Sequence, residues 1–127
     1  MAVILIFVGK AEEAIRLLQS AIRHNPIPPD FYYFHLGHAL IMMKRYEEAT
    51  VEIKKAHQHS PDNWYTHYFL TIAYALSDRE EEASIASAEI FRIIPKFSLE
   101  YMAKIFPYKN NSDLKLCIDA LRIAGLE

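Results

Sequence analysis

Residues 30–61 read DFYYFHLGHALIMMKRYEEATVEIKKAHQHSP, and this stretch decides the fold. Tyr33, Leu36, Gly37 and Leu40 share one face at helical spacing, which predicts a helix from Phe31 to about Met43. Pro28 and Pro29 block any earlier helix from continuing, and Asp30 stands where a cap is needed. Lys44-Arg45 makes the turn. Tyr46, Ala49, Ile53 and Ala56 then line the inner stripe of a second helix, which Ser60-Pro61-Asp62 ends.

The same unit recurs on both sides. Ala14, Ala49 and Ala83 each follow a pair of glutamates and stand 35 and 34 residues apart, and Pro26, Pro61 and Pro95 lie 12 residues beyond them. Self-similarity at that interval, with two helices per unit, is the signature of stacked helical hairpins. Small residues let the two helices of a hairpin approach, while large ones fill the spaces between successive pairs. Residues 64–95 keep Leu70, Tyr74, Ala83 and Pro95 in place. Thr71 stands where the middle unit has Gly37, Ser87 where a large apolar residue is expected, and Ile90 where it has Ala56. Residues 1–26 keep only the second helix, through Ala14, Leu18, Ala21 and Pro26.

Tyr33, Leu36-Gly37, Ala49, Ala56 and Pro61 are the residues by which the middle unit resembles the tetratricopeptide repeat. The resemblance implies an all-α solenoid of about two and a half repeats with a right-handed stack: residues 1–26 partial, 30–61 complete, 64–95 complete but divergent. It also implies that the first helices of the pairs line a concave groove, through Phe31, Phe34, His38 and Ile41 in one repeat and Tyr65, Tyr68, Ile72 and Ala75 in the next. That surface is aromatic and apolar. It departs from the lysine- and asparagine-lined clamp with which some family members hold a peptide carboxylate, and it suits an amphipathic helix or apolar peptide.

The ends differ from the middle. The first eight residues, MAVILIFV, are wholly apolar. They lack the cationic start and cleavage site of a signal peptide. They are expected to be the end of a helix whose earlier turns are missing, which makes the chain the C-terminal part of something longer. In residues 96–127, Leu99, Met102, Ala103 and Phe106 predict a short helix opening at Ser98, which residues 107–111 break. Leu114, Cys117, Ile118 and Leu121 predict another, capped near Ser112 and stopped by Gly125. This pair is expected to cap the solenoid. The segments FSLE (97–100), FPYKN (106–110), Asp113-Leu114, Ala120-Leu121-Arg122 and Ala124-Gly125-Leu126 resemble the C-terminal end of bacterial proteins that join a class III adenylate or guanylate cyclase domain to such repeats. Some repeat-bearing transcriptional regulators end similarly. The resemblance implies a regulatory role for the chain and carries no cyclase residues with it.

Composition narrows the function classes. The chain has 127 residues, a formal charge of −2 and a hydrophobic fraction of 52%. Both charge signs are scattered, so no basic footprint marks nucleic acid or anionic lipid as a partner. Cys117 is the only cysteine, which excludes a disulfide framework and fits a cytoplasmic setting. His35 and His38 share a helix face and could bracket a metal with His67, but two-histidine spacing is common by chance, and partly exposed groove residues are the simpler reading. His57 and His59 point apart. The recurring glutamates sit in helix first turns, where the helix dipole favours them. No catalytic residue, metal site or cofactor site is expected. The expected function is a protein-interaction module with the partner groove at Phe31, Phe34, His35, His38, Ile41, Tyr65, Tyr68 and Ile72. Self-association through the first helix is the alternative, and a groove filled by the chain's own tail or by missing N-terminal repeats is the competing expectation, since large apolar patches are seldom left bare.

Overall fold

Gly9, Lys44 and Asp78 all have positive φ (86°, 61° and 61°) and stand 35 and 34 residues apart, so the sequence period is also a backbone period. Each ends a helix. The residue after each donates its backbone N–H five residues back: Lys10 to Leu5, Arg45 to Leu40 and Arg79 to Tyr74, at 2.8 to 2.9 Å. This left-handed cap satisfies carbonyls at a helix end and turns the chain sharply. Five residues after each cap comes the recurring alanine, and Ala14, Ala49 and Ala83 are wholly buried. A side chain larger than a methyl would hold the two helices apart there.

The computed structural model describes residues 2–59, 61–106 and 108–126, without the side chains of Ala2, His59 and Ala103. Met1 in the apolar run, Ser60 in the stop after the second helix and Pro107 in the break therefore lie outside the described residues, as does the side chain of Ala103 in the tail stripe. The described residues form eight α-helices and no strand: α1 Ala2–Phe7, α2 Ala11–Arg23, α3 Asp30–Met42, α4 Tyr46–His59, α5 Trp64–Leu76, α6 Glu80–Ile93, α7 Leu99–Ile105 and α8 Asn111–Ile123. The architecture is all-helical. No helix among them is long and apolar enough to cross a membrane.

Consecutive helices from α1 to α6 pack side by side. The connections are short, so α2, α4 and α6 run one way while α3 and α5 run the other. The core runs through Ile6, Ile15, Leu36, Leu40, Ile53, Phe69, Leu70, Ile72 and Ile90. Gly37 is needed for approach rather than for backbone freedom: a Cβ there would collide with Ile53 Cγ1 and lie 2.7 Å from its Cδ1.

Several local expectations are corrected. Asp30 is the first residue of α3 and Pro29 occupies the cap position. Asn110, not Ser112, precedes α8. Ser98 does cap α7, its hydroxyl accepting from Tyr101 N–H at 3.2 Å. Phe106 lies beyond α7 instead of on its stripe. Ser87 is small because the tail reaches it, its hydroxyl donating to the Ser84 carbonyl at 2.9 Å and lying 3.4 Å from that of Ala124. Arg79 and Arg92 tie units together at the surface, Arg79 to Glu47 and Arg92 to Asp62, both at 2.6 Å.

Candidate functional site

The middle halves of α3 and α5 form a floor of rings, because His38 and Phe69 face the same side and stack with centroids 4.4 Å apart. On this floor lies the chain's own tail. Phe106 stacks on Tyr68 at 5.2 Å, and Tyr108 tilts against Phe7 at 4.8 Å. Phe7 also meets His38 edge-on at 5.2 Å. The tail is pinned by its backbone as well, since Lys109 N–H donates to the Phe7 carbonyl at 2.8 Å. From there the last helix, α8, returns and packs on α5, the first helix of its pair.

A polar chain runs through this apolar junction. Tyr108 Oη is 2.6 Å from His38 Nε2 and 3.5 Å from Cys117 Sγ. The short separation suits an O–H···N bond in which the phenol donates to a neutral imidazole, leaving the thiol to donate to the phenol oxygen. Burial holds the group neutral, pulling the His38 pKa down to about 3, with a smaller contribution from nearby His35. Burial likewise raises the Cys117 thiol to about 11 and the Tyr108 phenol well above its ordinary value. Desolvation penalises whichever form is charged, so it moves the base and the two acids in opposite directions.

The eight expected groove residues divide into two sets. Phe34, His38, Ile41, Tyr68 and Ile72 are buried, and His38 and Tyr68 are each only 1% exposed. Phe31 is 47% exposed, while His35 and Tyr65 are half-buried. Phe34 stacks flat on Tyr65 at 5.7 Å, and Tyr65 stacks on Trp64 at 4.2 Å. A continuous aromatic ledge therefore joins the starts of α3 and α5. Beyond it, Trp64, Phe97, Tyr101, Met102 and Ile105 line a cleft of about 410 Å³ between α5 and α7. A second cleft of about 520 Å³ lies between α4, α5 and α6, over Leu70, Tyr74 and Ala86.

The histidines are not assembled for metal. Among the described residues no three histidine, cysteine or carboxylate side chains cluster to hold an ion. His67 faces the other way from His38, its Nε2 lying 2.7 Å from the Pro61 carbonyl and its ring edge-on to His57 at 5.1 Å. His35 is pulled down to about 4 by burial.

The sequence allows the tail as an occupant of the groove but does not bring Phe7, Phe106, Tyr108 and Cys117 together as one junction. Tyr108 stands in a segment that reads as a helix breaker and as part of the tail's resemblance, and Phe7 in a run that reads as the end of a helix. Their meeting depends on residues 38 and 108 being brought together, and no periodicity within either segment signals that. No protein-family model matches this chain, and no curated protein sequence matches it.

Proposed function

We propose that this chain is a non-catalytic protein-interaction module of the tetratricopeptide type, about two and a half repeats long. The observation that carries the reading is the division of the aromatic face of α3 and α5: Phe106 and Tyr108 cover Tyr68 and His38, while the ledge beside them keeps Phe31 exposed and His35, Trp64 and Tyr65 half-buried. Contiguous exposed aromatic surface is costly to leave in water and is where binding energy concentrates. The recurring left-handed caps and buried alanines support the repeat reading. The bonding of His38, Tyr108 and Cys117 to one another supports a structural use for the most perturbed groups. By the likeness of its tail, the module would serve as the regulatory end of a cytoplasmic bacterial signalling protein such as a class III nucleotide cyclase. A protein segment docking on the ledge would bias the neighbouring domain without covalent chemistry.

Selection from a displayed peptide library tests this. Peptides should emerge that bind the wild-type chain and lose binding to Phe31→Ser/Tyr65→Ser, with helicity by circular dichroism unchanged. If no ligand depends on those two side chains, the ledge is not a docking surface. Ile4 on α1 and Leu17 on α2 are also exposed, which favours self-association as a second reading. Sedimentation velocity across a dilution series separates the two, because only the second predicts a dimer that dissociates on dilution.

A further inference from the structure

We infer that the cleft between α5 and α7 is an anchor pocket for an acidic amphipathic helix of a protein partner. This rests on the interaction-module reading and names the chemistry of the partner. The short connections place the loops after α2, α4 and α6 at one end of the molecule, and five of the exposed large apolar side chains lie at this end, the others being spread over α1, α2, α4, α6, α8 and the turn after α3. Ile27 is 85% exposed, Tyr101 59% and Ile105 38%, and Phe31 and Phe91 join them. Helix α7 explains the pattern locally. Leu99 and Met102 turn inward and are buried, while Tyr101 and Ile105, four residues apart, form a second apolar stripe on the outer side. A helix with an apolar outer stripe beside an open cleft is arranged to receive a ridge of side chains from another helix. The cleft, at about 410 Å³, has room for a large apolar anchor from such a ridge.

Charge selects the partner's sign. Arg92 at this end is already neutralised by Asp62 and Glu89. Lys96 lines the cleft and makes no ion pair among the described residues. Lys104 reaches Glu100 only at 3.7 Å, with both side chains largely in solvent, so it is readily drawn to another carboxylate. Among the described residues Lys96 is therefore the one charged side chain lining the apolar cleft, with Lys104 loosely paired on the adjoining helix. A helix with carboxylates bordering its apolar stripe would pair with Lys96.

The test uses two fluorescein-labelled synthetic helices with the same leucine stripe, one bordered by glutamates and the other by lysines, titrated against the full chain and followed by anisotropy. The acidic helix should bind, more weakly as salt rises. Lys96→Glu should weaken it by roughly tenfold or more and improve the basic helix. Tyr101→Ser/Ile105→Ser should abolish binding while leaving helicity intact, since both side chains are exposed. Equal binding of the two helices, or indifference to Lys96→Glu, overturns the inference. So does binding of phosphatidylserine vesicles in place of either peptide, which would make this end a lipid-facing surface. Library ligands that depend on Phe31 and Tyr65 but not on Lys96, Tyr101 and Ile105 would sink this inference and leave the module reading standing. The absence of any ledge-dependent ligand would sink both.

Discussion

Acidification should destabilise this protein through His38, well above the pH at which carboxylates protonate. In the unfolded chain an imidazole takes up its proton near pH 6.5, whereas in the fold burial delays this to about 3. Between those values the unfolded state binds a proton that the folded state refuses. Stability therefore falls as pH falls from about 6.5 to about 3, and this contribution is flat below and above that window. The loss is about 1.4 kcal/mol for each pH unit below 6.5, or about 2 kcal/mol by pH 5. That is a large part of the ~5–15 kcal/mol available to a domain of this kind. His35, pulled down to about 4 by burial, adds to the loss in the same direction. Urea unfolding followed by circular dichroism from pH 7 to 4.5 gives the wild-type slope. His38→Gln supplies the control, because an amide can still bond Tyr108 but does not titrate. Its stability at pH 7 should be lower, since the ring contacts with Phe69 and Phe7 are lost. Its dependence on pH should be shallower by the His38 contribution. Parallel curves for the two proteins would refute the reasoning, as would an imidazole resonance of His38 titrating near 6.5 in the folded state.

Two further outcomes follow from packing. Gly37→Ala should cost about 1–3 kcal/mol through overlap with Ile53, although alanine is the better helix former by roughly 1 kcal/mol. Pairing it with Ile53→Ala in a double-mutant cycle should recover part of the overlap cost, and strict additivity would show that the two side chains do not collide. Cys117 is wholly buried and its thiol is raised to about 11, so it should be inert to a thiol-titrating disulfide reagent in the native protein and react fully in urea. Rapid stoichiometric reaction without denaturant would place it at the surface.

Much of the helical framework was legible in advance because its causes are local. The spacing of Tyr46, Ala49, Ile53 and Ala56 is a periodicity of one helix, and Ala49, Ile53 and Ala56 are wholly buried. The prolines after each unit and the turn at Lys44 likewise act within a few residues of themselves. The helix starts were less legible: proline or asparagine could occupy a cap position, and the sequence offered both beside Asp30 and Ser112.

The site was legible only in part. Which residues lie on the inner face of α3 and α5 follows from position along the helix. Whether that face meets water depends on a segment far along the chain. His38 and Tyr108 are 70 residues apart, and nothing local to either marks them as partners. Ser87 shows the same limit, since nothing near it in sequence signals that its hydroxyl lies 3.4 Å from the Ala124 carbonyl.

Periodicity along the chain determined the helices, their turns and the alanines at which they touch, because each of these depends on neighbours three to five residues away. Tertiary structure alone decided that Phe106 and Tyr108 lie against Tyr68 and His38 and that Phe31 and the α7 stripe of Tyr101 and Ile105 stay exposed. Those outcomes depend on how aromatic side chains from distant segments share one volume. A side chain excludes every other atom from the space it fills, so the residue that occupies the groove is settled only when the whole chain has packed.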